Sequence, residues 1–200
     1  HLFPENQPPL IITAAPYAPG WLPSDFPEEI PVSMEAQIQK AVDCYNAGAT
    51  VLHVHVREED GSGSKRLSMF NELIARLRDR LPKMVLQVGG SISFSPEAEG
   101  DQAKWLGTPA PDQVTIAINT NQMNVVEQMC EADIRGTSLA TPEGYRAYRE
   151  MTIPAGPEWV EEHIRRLSAK GIQTHFQIAN IAQLETVERM MRRGDCSVPL

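Results

Sequence analysis

Five short apolar runs, at residues 10–15, 50–56, 84–88, 114–118 and 172–178, alternate with longer stretches whose apolar residues recur at helical spacing. Runs of this length between turn formers read as buried strands, and the intervening stretches are long enough for crossover helices. Met34, Ile38, Ala41, Val42 and Tyr45 share one face of a helix that Ser33 caps and Gly48 stops. Met69, Leu73, Ile74, Leu77 and Leu81 share the face of a second, which Pro82 ends. Pro157 opens a third at its first position and Gly171 closes it, while residues 184–193 form a fourth before Gly194. Residues 142–151 suit a further helix, and the rest of 120–155 has no clear pattern. Strand–helix alternation predicts βαβ units and a parallel sheet. No Gly-x-Gly-x-x-Gly follows the first run, which argues against a dinucleotide-binding fold. The first three strands run into polar or glycine-rich loops, as they do at the active face of a (β/α)8 TIM barrel. The expected fold is α/β, a single TIM-barrel domain of which residues 1–200 cover about the first five strands and whose C-terminal part lies beyond Leu200.

The net charge of −8 disfavours binding to nucleic acid or to an anionic membrane surface, both of which need basic patches. No apolar run approaches the roughly 18 residues of a membrane span. The start, His1-Leu2-Phe3-Pro4-Glu5, lacks the basic and apolar regions of a signal peptide. Cys44, Cys130 and Cys196 are far apart and odd in number, which suits reduced thiols and a cytoplasmic location.

The second run carries the sharpest chemical signal, His53-Val54-His55-Val56-Arg57. Side chains alternate along a strand, so His53, His55 and Arg57 are expected on one face and the valines on the other. Inward positions of a parallel barrel are usually Val, Ile or Leu, and buried imidazoles need partners. A divalent metal satisfies two at once, a reading preferred to two hydrogen-bonded core histidines; nitrogen donors favour zinc, with one more protein ligand expected. Arg57 beside the pair suits anion binding. Gly89 and Gly90 suit either a tight turn, the plainer reading, or a close backbone approach to an oxyanion. Thr115, Asn119, Thr120, His175 and Gln177 lie on or at the ends of the fourth and fifth strands, where barrel sites are built. Arg189, Arg192 and Arg193 read as a solvated helix end.

Four segments together resemble a known family: Ile11-Ile12-Thr13-Ala14-Ala15-Pro16, Cys44-Tyr45-Asn46-Ala47-Gly48-Ala49, the stretch from His53 through Glu58-Glu59-Asp60-Gly61, and Gly89-Gly90. They are similar to the β-keto acid cleavage enzymes, of the 3-keto-5-aminohexanoate cleavage type, most clearly over residues 10–90. The resemblance implies a TIM barrel, usually a homotetramer, with zinc held by His53, His55 and a glutamate late in the chain. It implies an acyl exchange between a β-keto acid and acetyl-CoA, giving acetoacetate and a new acyl-CoA, with the catalytic residues beyond Leu200. Substrate contacts are implied at Thr115 and at the loop of Gly89, Gly90 and Ser91, with Arg57 as a further binding residue. The acid that grips an amino group in the type enzyme has no counterpart in Tyr17-Ala18-Pro19-Gly20, and Gln177 stands where the family has a glutamate, so the expected substrate tail is neutral or anionic. Two other functions use such a motif: a metal-dependent hydrolase of the amidohydrolase type, which carries His-x-His on strand one rather than two, and a non-catalytic zinc-containing binding protein.

Overall fold

The computed structural model describes residues 10–16, 20–89, 109–118, 131–149, 156–178 and 180–196. Their element order is β1 (Thr13–Ala14), α1 (Met34–Asn46), β2 (Val51–Val54), β3 (Val56–Arg57), β4 (Gly63–Ser64), α2 (Leu67–Arg80), β5 (Val85–Val88), β6 (Gln113–Ala117), α3 (Glu131–Ile134), a 3-10 turn (Ser138–Ala140), α4 (Pro142–Arg149), α5 (Pro157–Ala169), β7 (Gln173–Gln177) and α6 (Ile181–Arg193). Ser33 caps α1 by accepting from the Ala36 amide, Asn180 caps α6 by accepting from Gln183, and Gly194 ends α6 in the left-handed conformation.

Five strands form one sheet in the order β1-β2-β5-β6-β7, every neighbouring pair parallel. That order follows the chain without a reversal, unlike a doubly wound sheet, which reverses at a switch point. The helices lie against residues of one parity. Leu52, Val54, Leu86 and Val88 form one buried cluster with α1 and α2, and Val114 and Ile116 form a second with α5 and α6. The opposite parity holds His53, Gln87, Gln113, Thr115, Gln173 and His175. Consecutive strand order with helices on one face is consistent with the wall of a barrel. The described residues form five parallel strands and not a closed barrel of eight.

Two expected strands are shorter than their apolar runs by three residues or more. Only Thr13–Ala14 of residues 10–15 pairs in the sheet, and Leu10 and Ile11 stand 82% and 72% exposed. The run at 50–56 breaks at His55: β2 ends at Val54, and Val56–Arg57 turns away to pair antiparallel with Gly63–Ser64. The cause lies in Asp60-Gly61, a strong hairpin signal. Asp60 Oδ1 accepts from the Ser62 amide and hydroxyl, and Gly61 takes a left-handed φ of 86° with Pro23 so close that a Cβ would overlap it. Among the described residues no helix is long and apolar enough to cross a membrane.

Candidate active site

The hairpin places the two histidines side by side at the C-terminal end of β2. His53 sits inside the strand between Leu52 and Val54, which face the helices; His55 follows the strand's last residue. Their ring centroids are 4.8 Å apart at an interplanar angle of 65°. Burial lowers the pKa of both rings. His55 falls to about 4, with His53 and the Arg57 guanidinium adding to the effect of burial. For His53 the hydrogen bond with Gln87 opposes burial, and His175 adds to it. Both imidazoles are therefore neutral at pH 7, the form that offers a lone pair to a metal.

The donor set fits a borderline divalent ion. Two neutral imidazoles lie in contact, and the buried Nδ1 of His55 has no hydrogen-bond partner. A buried nitrogen of that kind is costly unless something engages the ring. Among the described residues no third His, Cys, Asp or Glu completes a metal-holding group. The pair would supply two ligands to such an ion, which needs at least one more from the protein.

His53, His55, Gln37, Arg57, Pro16 and Pro31 are among the residues lining a cavity of about 30 Å³. Gln37 reaches it from α1, with its Nε2 donating to Val32 O at 2.9 Å. Arg57 is 4% exposed, and its Nη1 donates to Trp21 O at 2.7 Å and to Gly61 O at 2.8 Å. The side chain expected to bind an anion thus holds the hairpin to the loop at residues 20–31, and brings its charge to the pair from that position. Asp25 anchors the same loop from its other side, accepting from the Ser138 amide at 2.6 Å and the Ser138 hydroxyl at 2.8 Å.

Of the other expected site residues, Gly89 follows the last residue of β5 and is partly exposed. Thr115 lies in β6, in register with His175 of β7, on the histidine face of the sheet. The face therefore gathers His53, Thr115 and His175, with Gly89 at its rim, and Gln177 continues it to an exposed end. Gly90, Ser91, Asn119, Thr120 and Tyr17 to Pro19 lie outside the described residues.

The sequence reading missed a row of glutamines. His53 Nδ1 lies 2.7 Å from Gln87 Oε1, Gln87 Nε2 donates to Gln113 Oε1 at 2.9 Å, and Gln113 Nε2 donates to Gln173 Oε1 at 2.6 Å. The four residues are exact register partners across β2, β5, β6 and β7. The available signal was a glutamine at an inward position in each of three strands, where an aliphatic residue is the norm.

The family model described as beta-keto acid cleavage enzyme matches residues 9–200. A 3-keto-5-aminohexanoate cleavage enzyme of Fusobacterium nucleatum is 31% identical over 88 residues, 43% of this chain and 32% of that protein. One from Acetoanaerobium sticklandii is 30% identical over 90 residues, 44% of this chain and 33% of its own length. A 3-oxoadipate:acetyl-CoA acetyltransferase of Cupriavidus necator is 29% identical over 80 residues, 34% of this chain and 28% of that protein. The chain thus matches about a third of the length of these relatives. Among solved structures, ObcA in its apo form superposes with a TM-score of 0.57 at 14% identity, over 82% of this chain and 33% of that one, a likeness of fold. The chain belongs to the beta-keto acid cleavage enzyme family.

Proposed function

We propose that this chain carries the metal-binding face of an enzyme that exchanges acyl groups between a β-keto acid and acetyl-CoA. In the net reaction the bond between C2 and C3 of the keto acid breaks, a bond forms between the released two-carbon unit and the acetyl carbonyl, and CoA passes to the former C3 acyl group. The products are acetoacetate and a new acyl-CoA. The observation that carries the reading is the contact between His53 and His55, both neutral, at the end of β2. The family membership and the names of the relatives support it.

In this reading His53 and His55 hold zinc together with a carboxylate from outside the described residues, within a completed (β/α)8 barrel. Zinc bound there would act as a Lewis acid on a carbonyl oxygen, a contribution of several kcal/mol. The remaining work falls to the chain's own groups. The loop of Gly89, Gly90 and Ser91 receives the substrate carboxylate, and the Thr115 hydroxyl contacts the substrate. Arg57 lends positive potential to the pair while holding the 20–31 loop to the hairpin. With no acid in Tyr17-Ala18-Pro19-Gly20, the tail that fits is neutral or anionic.

The test uses protein in which acetyl-CoA consumption is measurable, with β-keto acids of anionic, neutral and cationic tails. Turnover that requires acetyl-CoA, prefers uncharged or acidic tails and collapses with His53→Ala supports the reading. Product formation with water alone would move the protein to a hydrolase, and full activity of a metal-free His53→Ala protein would end the metal assignment.

A further inference from the structure

Three amides on the inward face of a parallel sheet need an explanation, since burying them without use costs stability and aliphatic residues would fit. Gln87 is only 3% exposed. Each amide is directional: its oxygen only accepts and its nitrogen only donates. With Gln87 Oε1 facing it, the ring nitrogen 2.7 Å away fits as the donor, the arrangement that suits a His53 with its proton on Nδ1. Reversing Gln87 would place its nitrogen against that N–H and its oxygen against the oxygen of Gln113. Gln113 is held in turn by its donation to Gln173. The direction of every amide in the row is thereby coupled to the next, and linked hydrogen bonds of this kind polarise and reinforce one another.

We propose that Gln87, Gln113 and Gln173 are positioning residues that lock His53 in the Nδ1–H tautomer and leave Nε2 to the metal. The second half of that statement rests on the metal reading above. The first half does not. Which imidazole nitrogen ligates a metal is set by the hydrogen bond that the other makes, and partners of that kind typically change metal affinity by about 10–100-fold. The distinctive feature is distance: the tautomer is decided by amides one and two strands beyond the residue that touches the ring.

The experiment is long-range proton–nitrogen NMR of the ¹⁵N-labelled chain, metal-free and near neutral pH, with His53 assigned by its loss in His53→Asn. The wild-type ring should show the Nδ1–H pattern. Gln87→Glu should keep it, because a carboxylate still accepts from Nδ1. Gln113→Leu, which does not touch His53, should mix the tautomers by freeing Gln87 to turn, and Gln173→Leu should shift the ratio in the same direction by less. An Nε2–H pattern in the wild type overturns the proposal, and needs no variant to fold. So does an unchanged tautomer in folded Gln113→Leu and Gln173→Leu proteins. Titration with zinc alone separates the two readings. Gln113→Leu should bind zinc about tenfold more weakly than wild type. Failure of every protein to bind zinc, with the tautomer pattern as expected, would remove the metal and leave the amide lock standing.

Discussion

Neighbouring residues of the same strands belong to two surfaces with different physics. Leu86 and Ile116 are fully buried against helices, while Gln87 and Thr115, one residue away, face the histidines. The helix side is held by contacts that have no direction, and its stabilisation scales with apolar area removed from water. The histidine side is held by donors and acceptors that must alternate along a row. One surface therefore tolerates rearrangement but suffers from lost volume. The other tolerates lost volume but suffers from a reversed dipole.

The largest expected effect is on the helix side. Leu86→Ala and Ile116→Ala should each lower the unfolding free energy by about 2–5 kcal/mol, through lost transfer energy and the cavity left behind. Both side chains face the helices and not the amide row, so the His53 tautomer should be unchanged. Equilibrium denaturation and the NMR measurement on the same samples check both halves. A loss under about 1 kcal/mol, or a shifted tautomer, would break the distinction between the faces.

That distinction also explains what could be read in the sequence. Periodicity reports burial, so the helix-facing residues and the four long helices were legible, with α2 and α6 starting two and three residues earlier than expected. Parity placed His53 on a face opposite the valines, and Thr115 came in through the family resemblance. The break at His55 was not legible from hydropathy, because Val56 remains fully buried after the chain turns. Its cause was local turn chemistry at Asp60-Gly61. The bonds of Arg57 to Trp21 O and Gly61 O could not be foreseen, since they depend on where a proline-rich loop without periodicity comes to rest. The amide row depends on register across four strands, which no single segment encodes.

The second effect distinguishes the faces by proton concentration. His55 takes up its proton near pH 4 in the folded chain and near its ordinary 6.5 when unfolded. Between these values the unfolded chain binds more protons, so stability present above pH 6.5 is lost as the pH falls toward 4. The loss is at most about 3 kcal/mol, and less where water reaches the ring. Unfolding free energies at a series of pH values, for wild type and His55→Asn, should show a shallower slope in the variant across this window. Equal slopes would mean that His55 contributes nothing to acid sensitivity, and the contrast with the apolar face would lose that part of its electrostatic half.

The smallest effect on stability gives the sharpest comparison, because it concerns two adjacent residues. Thr115 is half-buried on the histidine face, and Ile116 is fully buried on the other. Thr115→Val keeps the β-branched shape that suits a strand and removes only the hydroxyl, so the unfolding free energy should change by less than about 1 kcal/mol. If that hydroxyl contacts the substrate, as proposed, the loss of one hydrogen bond should raise KM about five- to tenfold while kcat changes little. Ile116→Ala should do the reverse, losing stability while KM in the remaining folded protein stays near wild type. A Thr115→Val protein with unchanged KM for every β-keto acid tested would take Thr115 out of the site. A raised KM in Ile116→Ala would show instead that packing on the helix side sets the geometry of the site face, so that the two surfaces are coupled through the strand they share.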